Sequence, residues 1–360
     1  MNRSKPPLTS PGDTETESGV EGGRKRATIN DIARLAGVSK KTVSRVINQS
    51  PFVRDETRER IEAVIAEWGY APDPQARGLA FRRSFLIGMI YDNPNPQYVV
   101  NMQLGLLDGM RGSGFELVVH PCNRSSPTFL TDIRTFVERQ KLYGVVLPPS
   151  VSEDERVAKL LREIGCEYIR IASVELDKPE HMIVGHDRLG GEAMGAHLIE
   201  LGHTEIGFIS GLPSFRSSHE RRVGFEDALA KAGLKLDEDY VVEGAYTFES
   251  GLACAEVLLA KTPRPTAIFA GNDEMAAGVL QAARRAGLDV PRDLTVVGFD
   301  DFQIAQAVWP PLTTIHIPTR EVGRMAAEKL IGIESREKRD PASTVPHLVI
   351  RESSARAAVR

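Results

Sequence analysis

Hydrophobic residues near the start of the chain recur at helical spacing. Ile29, Ile32, Ala33 and Ala36 fall at i, i+3, i+4 and i+7, one apolar stripe of a short helix. Thr28 precedes the stripe and Asp31 stands three residues on, which is capping-box spacing. Gly37 tolerates the left-handed conformation that ends a helix, and Ser39 can cap the next one. In that second helix Val43, Val46 and Ile47 share the inward face, and Ile61, Val64, Ile65 and Trp68 repeat the period in a third. The pattern predicts a compact three-helix unit over residues 27–72.

On the second helix this leaves Lys40, Lys41, Ser44, Arg45 and Asn48 facing outward. For an isolated helix such residues read as a solvated basic surface. Two flanking helices of matching period change that reading, because a three-helix unit of this kind presents its second helix to the major groove. Thr28, Ser39 and Thr42 join the candidate DNA-contacting set, as hydroxyl donors suited to phosphates.

From Phe85 onward the period changes. Short apolar runs at 86–91, 117–120, 145–147, 169–173, 183–185, 206–210, 267–270 and 295–299 alternate with helical stretches. A further strand begins at Val241 and Val242 and is expected to end at Tyr246, and a last one spans 347–351. This is an α/β pattern of parallel sheets. Some 275 residues exceed one such sheet, so two doubly wound subdomains facing across a cleft are expected.

Doubly wound sheets place ligands beyond the carboxyl ends of their strands. The polar and aromatic residues at those ends are Asp92, then Asn93, Gln97 and Tyr98 in the loop after the first strand, Ser217, Arg221, Tyr246, Asn272, Asp273, Asp300 and Asp301. Guanidinium, carboxylate, amide and flat aromatic groups are those that hold a sugar. Arg170 is a charge inside the run Y-I-R-I-A-S, and either an ion pair or the cleft would account for it. Asp187, Asp273 and Asp301 have a second reading as helix caps, and Tyr246 as ordinary core.

Charge sharpens the division. Residues 24–83 carry 13 Lys and Arg against 7 Asp and Glu, while the whole chain stands at −4. A basic head on an acidic body orients electrostatic contact with DNA to one face. Cys122, Cys166 and Cys254 are odd in number and lack metal-ligand spacing, so they read as reduced core residues, and neither metal nor cofactor is expected. Residues 1–26, rich in Ser, Pro, Gly, Thr and Glu, read as a disordered tail without a signal peptide's apolar core. With no apolar run near membrane length, these features place the chain in the cytoplasm, at the nucleoid, with no membrane partner.

The stretch T-I-N-D-I-A-R-L-A-G-V-S-K-K-T-V-S-R-V-I-N at 28–48 resembles the helix-turn-helix of the lactose repressor and galactose repressor family of bacterial transcription regulators. The resemblance continues through T-R-E-R-I-E and W-G-Y-A-P-D-P-Q-A-R-G-L-A within 57–80 and H-L-I-E-L-G-H at 197–203, and covers nearly the whole chain. A departure is Arg54 with Asp55 where the family often has a serine cap. The resemblance implies a helix-turn-helix head, a hinge helix over 73–84 and a core over 85–360 of two doubly wound parallel-sheet subdomains like those of periplasmic sugar-binding proteins. Subdomain one would cover about 85–186 and 316–343, and subdomain two about 187–315 and 344–352.

The same resemblance assigns Leu79, beside Arg77, as a minor-groove wedge of a hinge helix that forms on DNA. The plain alternative is that Leu79 packs the linker on the core. Gly78 costs about 1 kcal/mol of helix propensity relative to Ala, so a hinge disordered without DNA is expected. Arg221, Tyr246, Asn272 and Asp300 match effector-contacting positions of the family, and Asp92 and Ser217 fall at less closely matching ones.

Enzyme readings find little support. Gly109, Gly112 and Gly114 do not follow a strand in dinucleotide-loop order, no nucleophile elbow accompanies His186 and Asp187, and His197 and His203 lie six apart. The expectation is a homodimeric, allosteric repressor of carbohydrate genes that reads a pseudo-palindromic operator in double-stranded DNA and is released by a small sugar. The C-terminal S-S-A-R-A-A-V-R has no leucine heptad that would join dimers into a tetramer. A regulator whose ligand strengthens DNA binding, and a sugar-binding protein without a DNA role, are the competing readings.

Overall fold

The structure is a computed structural model that describes residues 27–47, 52–70, 84–332 and 344–357. Asn48, Arg77, Leu79, the tail 1–26 and the linker up to residue 83 lie outside the described residues. The chain divides into two compact units, Met1–Ala76 and Arg77–Arg360.

The first unit holds α1 (Ile29–Leu35), α2 (Lys40–Ile47) and α3 (Asp55–Trp68). Thr28 and Asp31 form a reciprocal capping box, with the Asp31 carboxylate accepting from the Thr28 N–H at 2.9 Å and its hydroxyl at 2.7 Å. Gly37 turns the chain at φ +64°, and Ser39 Oγ accepts from the Thr42 N–H at 3.1 Å to start α2. Arg54 starts α3 without a side-chain cap. Ile32, Ala33, Ala36, Val43, Val46, Val53 and Ile61 form the core. Trp68 departs from the expected stripe: it is half exposed at the last residue of its helix, and Val53 from the turn before α3 completes the core.

The second unit is two α/β lobes. Lobe one carries β1 (Leu86–Tyr91), α4 (Pro96–Met110), β2 (Glu116–Pro121), α5 (Phe129–Gln140), β3 (Gly144–Leu147), α6 (Glu155–Glu163), β4 (Glu167–Ala172) and β5 (Met182–Val184). Its strands form a parallel sheet in the order β2-β1-β3-β4-β5. Alternation along β3 feeds both faces: Val146 packs with Met102 and Leu106 of α4, and Val145 and Leu147 with Ile133 of α5 and Leu161 of α6.

Lobe two carries α7 (Asp187–Glu200), β6 (Ile206–Ser210), α8 (Arg216–Lys231), β7 (Val241–Glu243), α9 (Phe248–Leu259), β8 (Ala267–Ala270), α10 (Asp273–Arg285), β9 (Thr295–Val297) and α11 (Gln303–Ala307). The sheet order is β7-β6-β8-β9, all parallel. Beyond β9 lies an antiparallel pair, β10 (Thr314–His316) and β11 (His347–Val349), with α12 (Thr319–Ile331) between them in sequence and packed on lobe one against α4. The Thr313 and Asp300 bridges tie this pair to the end of β9. The run T-T-I-H was not expected as a strand; three residues are too few for a readable period. The strand from Val241 ends at Glu243, so Tyr246 lies in the turn after it at φ +62° rather than at its end.

Helices on one face of lobe two approach backbone to backbone. A Cβ added at Gly191 of α7 would stand 2.1 Å from the Arg221 carbonyl oxygen, and one at Gly224 of α8 would stand 1.9 Å from that of Arg188. Among the described residues no helix is long and apolar enough to cross a membrane. Gly191→Ala must therefore separate α7 from α8. Overpacking costs about 1–3 kcal/mol, and in a unit of this size each kcal/mol shifts Tm by about 2–4 °C. Calorimetry of the variant should show the body melting several degrees lower, and an unchanged transition would show that the two backbones are not in contact.

Candidate functional site

In the first unit the exposed side chains of α2 are Lys40, Lys41 and Arg45, with Thr42 and Ser44 half-buried beside them. Their backing of Val43 and Val46 fixes the helix on α1 and α3, so the basic face is set by the core behind it. The Thr28 and Ser39 hydroxyls already serve local bonds, to Asp31 and to Thr42 at 2.9 Å. Each hydroxyl retains lone pairs or a rotor but starts from a helix-capping role.

In the second unit a cleft lies between the lobes. Lobe one contributes Asn93, Asn95, Tyr98, Ser173 and Thr319, and lobe two contributes Asp187, Ser217, Arg221, Tyr246, Asn272 and Asp300. Arg221 is the centre. It projects from the second turn of α8, and its guanidinium lies 3.9 Å over the Phe299 ring. Nε donates to Asp187 Oδ1 at 2.9 Å, Nη1 to the Gly271 carbonyl at 2.7 Å, and Nη2 faces Asp300 Oδ1 at 3.1 Å. Asp187 also accepts from Ser173 Oγ at 2.6 Å.

The local backbone explains how these groups arrive. Close packing at Gly191 and Gly224 brings Arg221 within reach of the first residue of α7. Phe299 stacks on Phe269, which meets Phe208 and Phe225 edge-on, so the surface under the guanidinium is a fixed aromatic floor. Asp300 adopts φ +112°, a conformation rare outside glycine, which turns its carboxyl toward Arg221.

Burial pushes the Asp300 carboxyl up to about 7, against the pull of Arg221 and with the repulsion of Asp187. Burial, then the neighbouring Asp300, also raises Asp273 well above the carboxylate range. Burial works against the Arg221 charge, but the Asp300 and Asp187 carboxylates outweigh it. Burial raises both phenols, Tyr98 with added repulsion from Asp187 and Asp300, so both remain neutral donors at pH 7.

Several buried polar atoms on the cleft wall have no hydrogen-bond partner among the described residues: Asn95 Nδ2, Tyr246 Oη, Thr319 Oγ1 and Asp300 Oδ1, the last in ion-pair contact but out of hydrogen-bond line. Tyr246 lies edge-on to Phe215 at 5.6 Å and close to Ser217 and Ser218 without an aligned bond. Orphaned buried donors and acceptors are costly unless something completes them.

Other expected residues lie elsewhere. Arg170 does not face the cleft: it is buried, donates to the Ser152 carbonyl at 2.7 Å, and pairs with Glu155 at 2.8 Å and Asp177 at 3.4 Å. This strand-interior arginine meets a carboxylate from the preceding helix, α6, and one from the loop after its own strand. Gln97 is on the first turn of α4, not in a loop, and donates to Asn101 at 2.9 Å, away from the cleft wall. Asp92 accepts from Ser150 Oγ at 2.9 Å and is likewise off the wall. Asn272 lines the cleft while capping α10 through Met275 N–H. Asp273, read as a possible cap, instead accepts from Thr314 Oγ1 at 2.6 Å and Phe302 N–H at 2.9 Å. Asp301 holds His316 at 3.0 Å and Arg351 at 2.6 Å. Asp187, read as either a helix cap or a ligand contact, sits on the cleft wall against Arg221. Asn95 and Thr319 were missed because each reads as an ordinary helix-start residue. Among the described residues no group of His, Cys, Asp and Glu is arranged to hold a metal.

The folded body holds the Asp300 proton better than the unfolded chain, whose carboxyl lies near 3.8. Stability from this group is fully present below about pH 4 and is lost as pH rises to about 7. Asp300→Asn has no such loss. Melting curves from pH 5 to 8 should therefore move in the variant's favour relative to wild type as pH rises. A constant difference would contradict a raised carboxyl.

Residues 28–73 match the model of bacterial regulatory proteins of the lacI family, and residues 196–354 match a periplasmic binding protein-like domain. The chain is 33% identical over 336 residues to the HTH-type transcriptional regulator DegA of Bacillus subtilis, covering 91% of this chain and 98% of that one. A solved complex of the transcriptional regulator CelR with cellobiose superposes with TM-score 0.67 at 30% identity, covering 91% of this chain and all of the other. The lac repressor dimer bound to operator and the anti-inducer ONPF superposes with TM-score 0.71 at 28% identity, covering 92% and 100%. The chain belongs to the lacI family of bacterial regulatory proteins, DNA-binding transcription regulators with a helix-turn-helix head and a periplasmic-binding-protein-like body.

Proposed function

We propose that this chain is a dimeric repressor of carbohydrate-utilisation genes, held on a pseudo-palindromic operator by its heads and released when a small neutral sugar fills the cleft. The observation that carries the ligand class is the cleft wall itself. Two carboxylates flank one guanidinium and, among the described residues, no lysine is on the wall, which disfavours a phosphorylated ligand. The unpartnered amide, phenol and hydroxyl groups match a ring of sugar hydroxyls, and Phe215 with Tyr246 offers apolar faces. The CelR complex with cellobiose supports a sugar in this cleft, and the lac repressor dimer on operator supports the DNA-bound dimer. Both are transcription regulators, so the cleft is read as binding its ligand without turning it over.

On the head, Lys40, Lys41 and Arg45 read base edges, Thr28, Ser39, Thr42, Ser44 and Asn48 hold phosphates, and Arg77 and Leu79 enter the minor groove. Dimerisation is assigned to α4, where Val100, Leu104 and Leu107 are exposed at i, i+4 and i+7, an apolar stripe that a second copy would cover. The body divides into one subdomain of about 85–186 and 316–343 and another of about 187–315 and 344–352. Its place of action is the cytoplasm, where the operator lies.

Thermal melting against a panel of neutral sugars and sugar phosphates tests the ligand class, since a ligand at 100 times its Kd adds about 2.7 kcal/mol. A neutral sugar should raise Tm selectively, and stabilisation by sugar phosphates alone would overturn the assignment. Tyr246→Phe removes an orphaned hydroxyl, so it should leave unliganded Tm unchanged or higher while reducing the sugar-induced shift. A full shift in Tyr246→Phe would move the ligand off this wall.

On duplexes selected from a random pool, Lys41→Ala and Arg45→Ala should each lose about 1–3 kcal/mol of specific binding and relax preference at particular base pairs. Uniform loss on all sequences would reduce both residues to phosphate contacts.

A further inference from the structure

Beside the cleft wall, two side chains of lobe one reach lobe two. Arg124 follows β2, and its Nη1 donates to the Ser214 carbonyl at 3.4 Å. Glu153 stands in the short turn after β3, and its Oε2 accepts from the backbone N–H of Arg216 at 3.0 Å. Arg216 is the first residue of α8, so a carboxylate from one lobe occupies the N-terminus of the sixteen-residue helix that carries Arg221 in the other. Neighbouring residues on both sides, Pro149 and Phe215, belong to the cleft wall, which places these contacts at its edge.

Neither side chain is fully satisfied. Glu153 Oε1 and Arg124 Nε are buried atoms without hydrogen-bond partners among the described residues. Asp92, fixed by Ser150, lies 4.0 Å from Arg124 Nε and holds the guanidinium in place. Burial pushes the Glu153 carboxyl up, while the Arg216 N–H and the Arg124 and Arg216 charges draw it back and Asp187 repels it. Such groups are of little use to either lobe alone. Their bonds exist only while the lobes are together.

We propose that Arg124 and Glu153 latch the two lobes in the unliganded chain, so that the cleft rests closed and a ligand enters only after these bonds open. The latch sets how often the cleft opens, and so the rate of ligand entry, without touching the ligand. This goes beyond the assignment of a sugar effector and does not depend on it.

The test is the distance between lobes, read by electron–electron double resonance on full-length protein with no sugar and no DNA. Nitroxides are attached at Arg139→Cys on α5 and Ala253→Cys on α9, both exposed positions, and labelled chain is diluted into unlabelled chain. Burial pushes the native Cys122 and Cys166 thiols up to about 12 and raises Cys254, so labelling at pH 7 favours the introduced thiols. Wild type should give one short separation. Arg124→Met with Glu153→Ala should add a longer one, each lost bond changing the closed-to-open ratio by roughly five- to tenfold. Glu153→Gln keeps an acceptor for the Arg216 N–H and should stay within about twofold of wild type, which separates loss of the latch from loss of the fold. A wild-type distribution already at the longer separation, or a double variant indistinguishable from wild type, would overturn the proposal.

Discussion

The buried guanidinium of Arg221 is the constraint around which the body is organised. A charge taken out of water costs several kcal/mol, and removing one member of such a cluster costs about 3–5 kcal/mol because the others are stranded. Lobe two meets that demand with three separate pieces of chain: Asp187 at the start of α7, the Gly271 carbonyl after β8, and, after β9, the Phe299 ring followed by Asp300 in a conformation rare for a residue with a side chain. The glycine contact between α7 and α8 sets the first of these distances. The Phe208–Phe225–Phe269–Phe299 cluster fixes the floor. A cluster of this kind stabilises a fold less well than apolar packing would. Its presence at the end of a sheet, beside orphaned polar groups, is what a site awaiting polar completion looks like.

The two units place chemistry on opposite kinds of scaffold. In the head, a small core of isoleucine, valine and alanine leaves one face of α2 free, and the basic residues there need no partner within the chain. In the body, the polar side chains of the cleft stand near strand ends or in the first two turns of helices, where parallel sheets leave backbone and side-chain groups open to a ligand. That difference explains why phosphate and base contacts suit the first unit and an enclosed small ligand suits the second.

Much of this was readable in the sequence, and unevenly. The head's helices follow from period and caps, because local pattern decides them: Thr28, Gly37 and Ser39 all act where their chemistry predicts. Most of the body's short apolar strands were equally plain. Arg170 misled because a charge in a strand looks the same whether its partners are carboxylates of the chain or a ligand; only the fold brings Glu155 and Asp177 to it. Asn95 and Thr319 were hidden for the reverse reason, since a polar residue at a helix start is usually a cap. Tyr246 turned on a single left-handed residue that no periodicity encodes.

The central claim is that occupancy of the Arg221 cleft controls DNA binding by the heads. The most direct measurement is operator affinity by fluorescence anisotropy on a selected pseudo-palindromic duplex, titrated with a neutral sugar that stabilises the body. A sugar-dependent loss of affinity for that duplex, with nonspecific binding unchanged, is the predicted result. Binding of the sugar with no change in operator affinity would contradict it.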